Sequence, residues 1–458
     1  MTGKSHGFGL GTSIALTMGS AVLWGVAHLA TGYRRTGLIL MGAYGVMLAT
    51  VATLVIGFGT QLLSLAVQPG WLMAFTIALA AIATAWSIVI IWSFVLVRPA
   101  VSTTATRALT TGVAAALCVL VIAPMAYAGR LAYVSRDLVN SVFTQTASPE
   151  IAADPWSGET RFNVLLIGAD AASNRVGVRT DSMTVASVDT STGATTLLGL
   201  PRNLEHVMLP KGPARERFPY GFTGEPPYTP GLLNEVYQYA EDYPEMVPGV
   251  HKGKRGPSLL KRTVSDILGI PVNYYAMVDM AGFAQIIDAM GGVKVTIREP
   301  IVYGKYSEGT LAAGTRKLSG QEALWYGRSR TDSDDYARMS RQKCLLNAVA
   351  KQADPMTVLS SFEGLASATK RAIATDIPQD LLSPMVELAQ KVKGTQIKSL
   401  QFVPPLISTA DPDWDLIKRK VASALADRPE NKTATAPVAP KHAAQNPDRP
   451  VSLDATCG

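Results

Sequence analysis

Phe162-Asn163-Val164-Leu165-Leu166-Ile167-Gly168 runs into Ala169-Asp170, and eleven residues after Asp170 stands Asp181, within Arg179-Thr180-Asp181-Ser182. A short apolar run ending in glycine reads as a buried strand. Met183–Asp189 alternates apolar and small residues, and Thr195–Leu200 is a third apolar stretch. The same signals predict strands at Val272–Val278, Val293–Ile297 and Ile397–Val403. Helices are expected at Leu232–Tyr243, Ser258–Leu268, Ala281–Met290, Ser319–Tyr326, Asp335–Ala353, Val358–Thr369, Leu381–Val392 and Trp414–Leu425. Strands alternating with helices imply an α/β fold: a central mixed β-sheet flanked by helices in α-β-α layers. That domain covers residues 161–426. Pro210–Pro230 is dense in proline, glycine and charge and reads as a long loop. Residues 427–458 are rich in Ala, Pro, Lys and Asn and are expected to form a disordered tail.

Toward the N-terminus the composition changes. Hydrophobic residues make up 48% of the 458, and the excess lies in the first 128. Four apolar runs, Phe8–Ala30, Gly37–Gly59, Trp71–Val97 and Leu109–Ala128, contain no Asp, Glu, Lys or Arg. Each is near the ~20 residues that a helix needs to cross a bilayer. A cleavable signal would be one short run, so residues 1–130 read as a retained anchor of three or four transmembrane helices. Residues 131–160 read as a juxtamembrane helix and linker. Arg34, Arg35, Arg98 and Arg107 place the first and third loops inside, and Thr60–Gly70, without Lys or Arg, outside. Everything after about residue 131 is therefore expected to be extracytoplasmic, on a multi-pass protein of the cell membrane.

The net charge of +7 suits an anionic partner, and equally the positive flanks of membrane helices. Cys118, Cys344 and Cys457 fit no metal spacing, and three cysteines predict no disulfide framework. The five histidines do not cluster, which argues against zinc. No GxSxG motif occurs, so a Ser/His/Asp hydrolase is excluded. No nucleic-acid module is recognisable, which argues against direct DNA binding.

Three constellations carry chemistry. Asp170 lies at the end of the first strand, where α/β folds place their sites, and Asp181 precedes the second. If these strands are neighbours, the carboxylates meet at one sheet edge and suit Mg²⁺; as Asx turns they would only cap strand ends. Leu200-Pro201-Arg202-Asn203 points an arginine to the same edge. The densest run, from Gly327 to Gln342, holds Arg328, Arg330, Arg338 and Arg341. Arg328 and Arg330 share a face if extended. Arg338, Arg341 and Gln342 share a helical face. Arginine forks match phosphate oxygens, and a pyrophosphate offers several. The bland alternative is a solvated helix with an Asp334–Arg338 pair worth ~0.2–0.5 kcal/mol.

With these motifs in hand, residues 161–353 resemble the LytR-CpsA-Psr family. The resemblance rests on an ordered set: Gly168-Ala169-Asp170, Arg179-Thr180-Asp181, Leu200-Pro201-Arg202 and Leu232-Leu233-Asn234-Glu235-Val236-Tyr237. Val278-Asp279, Asp288-Ala289-Met290-Gly291-Gly292, Leu318-Ser319-Gly320-Gln321-Glu322 and the Arg328–Gln342 run follow in order. It implies a β-sheet flanked by helices with an apolar pocket for a polyprenyl chain. It further implies transfer of a glycopolymer from a polyprenyl-pyrophosphate carrier to peptidoglycan through a phosphodiester. By resemblance, Asp170 and Asp181 hold Mg²⁺, with Mn²⁺ the substitute, and Asp170, Asp181 and Arg202 are catalytic. Arg179, Arg202, Arg328, Arg330, Arg338 and Gln342 grip the pyrophosphate. Two departures stand out. Asn203 replaces a usual aspartate, removing a carboxylate that would orient an arginine or the metal, and Leu232 stands where a lysine is common. Tyr220-Gly221-Phe222 looks actinobacterial and implies an arabinogalactan donor. The proton acceptor is left open between Asp170, Asp181 and the substrate. Two other readings stay open: a polyprenyl-pyrophosphate hydrolase, and a non-catalytic lipid-binding envelope regulator.

Overall fold

The computed structural model describes residues 8–57, 64–99, 103–144, 155–156, 158–170, 177–225, 230–352, 373–426 and 449–457. Its contacts divide the chain into two units, residues 1–139 and 140–458.

The first unit is helical: α1 (Leu10–Val22), α2 (Val26–Ala30), α3 (Arg34–Gly57), α4 (Pro69–Leu96) and α5 (Thr104–Val142), whose end passes into the second unit. Three of these, α3, α4 and α5, are long and apolar enough to cross a membrane. The first apolar run is not a fourth. It breaks between α1 and α2, where Gly25 takes φ 95° and lies so close to Gly37 that a Cβ would strike the Gly37 carbonyl. The juxtamembrane helix expected from residue 131 is the unbroken continuation of α5, which runs to Val142 with Pro124 inside it.

The strands of the second unit are β1 (Arg161–Asp170), β2 (Arg179–Asp189), β3 (Thr195–Leu200), β4 (Tyr274–Asp279), β5 (Val293–Ile297), β6 (Ile301–Tyr303), β7 (Gly309–Leu311), β8 (Gly314–Leu318), β9 (Ile373–Thr375), β10 (Ile397–Gln401) and β11 (Val451–Ser452). The helices are α6 (Pro213–Arg217), α7 (Val236–Asp242), α8 (Arg255–Leu268), α9 (Met280–Ala289), α10 (Gly320–Arg328), α11 (Asp335–Gln352), α12 (Leu382–Gly394), α13 (Trp414–Ala426) and α14 (Leu453–Cys457). The expected helix at 358–369 lies outside the described residues.

Seven strands form one sheet in the order β11-β10-β3-β2-β1-β4-β9. β1, β2 and β3 are antiparallel neighbours, while β4 runs parallel to β1 and β10 parallel to β3. The sheet is therefore mixed, as expected. Alternation along the strands sends side chains to two faces. Leu165, Ile167, Met183, Val185, Leu198 and Leu200 form one face and pack against α7, α8 and α13. α8 earns its place by spacing: Leu260, Val264, Ile267 and Leu268 are buried along one stripe, and Gly269 stops the helix at φ 68°. Phe162 and Val164 lie on the other face and pack against Ile377, Leu381 and Leu388 near α12. Each fully buried leucine contributes about 1.5–3 kcal/mol over an exposed one.

Two expectations are corrected at the C-terminus. The final residues are not a free tail: β11 pairs with β10, and Leu453 is fully buried beside Leu197 and Ile397. Cys457 is bonded to Cys344 of α11, closing a loop of 113 residues. Cysteine counting missed this because the partners lie far apart in sequence and only the sheet edge brings them together. Residues 427–448 lie outside the described residues.

Reduction, or Cys457→Ser, is expected to lower the stability of the second unit by about 2–5 kcal/mol. Thermal unfolding with and without reductant checks this. Hydrogen exchange at residues 451–457 is expected to accelerate in parallel.

Candidate active site

The ends of β1 and β2 set the site. Their register is regular from Arg161↔Asp189 to Gly168↔Ser182, then shifts so that Ala169 faces Thr180 and Asp170 faces Arg179. Asp181 is the extra residue of a bulge. A bulge turns a side chain away from its regular direction and is common beside active sites. Asp170 ends β1 with its side chain 4% exposed. Pro201 cannot continue the β3 ladder, and Arg202 follows it out of the sheet. Thr180 Oγ1 donates to the Asn234 carbonyl at 3.3 Å, and Asn234 N–H donates to the Arg202 carbonyl at 3.1 Å. The Asn234 segment thus braces both.

The remaining arginines come from α10 and α11. Ser319 and Glu322 cap α10 reciprocally, and the helix ends on Arg328. Arg328 Nη2 lies 3.8 Å from Asp170 Oδ2. Arg202 Nη1 donates to Asp181 Oδ1 at 2.7 Å, while Arg338 Nη1 donates to the Asp181 backbone carbonyl at 2.8 Å. Gln342 Nε2 donates to the Gly327 carbonyl at 3.0 Å, joining α11 to α10.

All eight residues expected at the site, Asp170, Arg179, Asp181, Arg202, Arg328, Arg330, Arg338 and Gln342, line one cavity of about 500 Å³. Its other wall is apolar, built by Leu166, Ala276, Val278, Phe283, Leu345 and Val349 from β1, β4, α9 and α11. One concavity therefore holds a charged mouth and a hydrocarbon-like interior.

One residue escaped the sequence reading, and one is placed differently from it. Asp335, rather than Asp334, is the partner of Arg338. It accepts from Arg338 Nε at 3.1 Å and Nη2 at 3.0 Å, and stands 3.4 Å from both Arg202 Nε and Arg330 Nη1. Burial pushes the Asp335 carboxyl up. The hydrogen bond from Arg338 and the charges of Arg338, Arg202 and Arg330 outweigh this and hold it below the usual carboxylate value. Its position three residues before Arg338 was the available signal. Arg341, grouped by spacing with Arg338 and Gln342, turns elsewhere. It donates to the Tyr326 carbonyl at 2.8 Å, to Ser333 Oγ at 3.2 Å and to the Ser329 carbonyl. It props the loop that carries Arg330. Asn203 lies outside the cavity lining, with Nδ2 3.4 Å from Thr409 Oγ1. Orienting the arginines falls to Asp335 instead.

Asp170 and Asp181 present hard carboxylate oxygens to the same mouth, a donor set that fits Mg²⁺ or Mn²⁺. Among the described residues no three His, Cys, Asp or Glu side chains converge, so such an ion would complete its shell with substrate oxygens and water.

A match to the LytR_cpsA_psr family covers residues 136–406, more than half of the chain. The chain belongs to this family. It is 26% identical over 225 residues to polyisoprenyl-teichoic acid–peptidoglycan teichoic acid transferase TagU of Bacillus cereus, covering 49% of this chain and 62% of that protein. TagU of Enterococcus faecalis is 26% identical over 250 residues, covering 53% of this chain and 71% of that protein. The matched region thus spans about 62% of the length of the Bacillus cereus relative. The solved structure of B. subtilis TagV aligns with 59% of this chain and 99% of its own, at 22% identity and a TM-score of 0.42.

Asp335→Asn is expected to leave three arginines without their shared anion and to lower turnover about 10- to 100-fold through misorientation. Donor affinity should fall less. The sign of the pH effect follows from the lowered carboxyl: the ionised form stabilises the fold above the usual carboxylate range, and this is lost as pH falls through the folded value. Unfolding midpoints between pH 7 and pH 3 should therefore converge for wild type and Asp335→Asn at the acid end.

Proposed function

We propose that this protein is an Mg²⁺-dependent phosphotransferase that moves a polyprenyl-pyrophosphate-linked glycopolymer onto peptidoglycan and releases polyprenyl phosphate. It works as a multi-pass protein of the cytoplasmic membrane with its second unit outside. The observation that carries this reading is the two-part cavity: an apolar interior next to five arginines and three carboxylates, Asp170, Asp181 and the α9-capping Asp279. A ligand that fits both parts has a long hydrocarbon chain joined directly to several phosphate oxygens. The named relatives act between a polyisoprenyl-linked polymer and peptidoglycan, which matches that chemistry. The Tyr220-Gly221-Phe222 loop, of actinobacterial kind, points to arabinogalactan as the polymer carried.

Arg179, Arg202, Arg328, Arg330 and Arg338 hold the pyrophosphate oxygens by paired hydrogen bonds, and Gln342 fixes α11 against α10 beside them. Asp170 and Asp181 would hold Mg²⁺, which neutralises phosphate charge and polarises a phosphoryl oxygen. The acceptor hydroxyl oxygen forms a bond to the sugar-side phosphorus as the bridging P–O bond breaks. Its proton goes to a carboxylate, Asp170 or Asp181, or to a donor oxygen; no histidine lines the cavity. Polyprenyl phosphate leaves as an anion, its chain still in the apolar interior. Positioning and charge neutralisation supply most of the catalysis in such transfers.

The test uses the full chain in detergent with a polyprenyl-pyrophosphate glycan, Mg²⁺ and peptidoglycan. Polyprenyl phosphate release is expected to require acceptor and metal. Arg202→Ala and Asp181→Ala should each lower it about 100- to 1,000-fold, the usual loss for one group that stabilises developing charge. Release without acceptor would instead make the protein a hydrolase. Lipid binding without release, equal in both variants, would leave a binding protein.

A further inference from the structure

Beside the arginine mouth stands a surface with no part in the grip on the donor. β6 and β7 form a hairpin, with Tyr303 paired to Gly309 before the turn. This hairpin is fastened to the loop after α10. Ser329 Oγ donates to the Val302 carbonyl at 2.5 Å, Thr331 Oγ1 to the Gly304 carbonyl at 2.9 Å, and Val302 N–H to Asp332 at 2.9 Å. These bonds bracket Arg330, so the hairpin and the mouth are held as one piece. Tyr303 stacks on Trp325 with centroids 5.3 Å apart, and the Arg328 guanidinium lies 5.8 Å from the Trp325 ring. At the turn, Tyr306 is 78% exposed, with Lys305 Nζ 5.2 Å from its ring. A tyrosine so exposed adds almost nothing to folding.

Toward its base the same chain excursion continues as the β5–β8 pair, which shares one core with the tip, since Val293, Val295, Ile297 and Leu318 of β5 and β8 pack with Ile301 and Leu311 of β6 and β7. Its outer face carries an unusual pair: Lys294 stands directly opposite Lys317. Like charges across a strand pair cost stability, a cost that an anion would remove. Nearby carboxylates are committed: Asp288 accepts from Gly320 N–H, and Glu322 caps Ser319. Glu299, Glu308, Asp332 and Asp334 are exposed acids of this region, Asp332 being held by Val302 N–H.

The geometry of the transfer says what this surface meets. An incoming nucleophile lies roughly in line with the leaving group. The leaving lipid occupies the apolar interior, so the acceptor arrives from the open side, where Arg328 and Arg330 are 44% and 49% exposed. We propose that the β6–β7 tip and the β5–β8 base of this excursion form the acceptor platform and bind a peptidoglycan strand. The C–H faces of its sugars stack on Tyr306, whose ring face is electronegative. The carboxylates of its peptide stems pair with Lys305, Lys294 and Lys317. This proposal rests on the transferase reading above.

Tyr306→Ala and Lys317→Glu test it, because both side chains are exposed and neither belongs to the catalytic machinery. With the full chain in detergent, soluble peptidoglycan strands and a polyprenyl-pyrophosphate glycan, each variant should raise the acceptor KM about fivefold, the worth of one aromatic or ionic contact. Donor KM and kcat should not change. An unchanged acceptor KM, or a rise in donor KM instead, overturns the proposal. Co-sedimentation with insoluble peptidoglycan needs no turnover and separates this inference from the enzymatic one. The wild-type chain should sediment and the double variant should not. Equal sedimentation, or none by wild type, sinks the platform whether or not transfer occurs. Sedimentation lost only in the double variant, without any transfer by wild type, would sustain the platform and sink the transferase.

Discussion

Five guanidinium groups converge on one cavity mouth, and like charges so close repel one another. The structure holds them there with anions and carbonyls on rigid elements. Asp335 takes Arg338 through two oxygens and lies against Arg202 and Arg330, while Asp181 takes Arg202 with its side chain and Arg338 with its backbone. The arginines are thus fixed in a fork pattern before any phosphate arrives. Preorganised charge of this kind costs no reorganisation at the moment of reaction.

α11 ties that constraint to the rest of the unit. Arg338 and Gln342 on its first turns face the mouth, with Asp335 behind them bonded to Arg338, and Leu345 and Val349 further along wall the apolar interior. Cys344, between these groups, is bonded to the C-terminal segment that closes one edge of the sheet. Arg341 turns outward to hold the Arg330 loop. One helix thereby links lipid-like wall, charged mouth and sheet edge. A shift of that helix would move all three together.

The cavity and the hairpin surface divide the chemistry by polarity. A hydrocarbon wall suits a chain that water would expel. The charged mouth suits phosphates that hydrocarbon would reject. The excursion from β5 to β8 presents an exposed ring and a lysine pair to water.

Much of this was legible in the chain alone. Apolar runs ending in glycine, helical spacing and the arginine cluster marked β1 to β4, α8, α11 and most of the mouth residues, because strand alternation, helix period and charge density are local properties; the place of Arg179 came from the family resemblance. The tertiary structure alone decided what depends on distant partners. It set the bulge that turns Asp181, the choice of Asp335 over Asp334 and the outward turn of Arg341. It also joined Cys344 to Cys457, added β11 to the sheet edge and broke the first apolar run at Gly25 against Gly37. Each of these is fixed by which surfaces meet across long stretches of chain, and spacing within one element carries no record of that meeting.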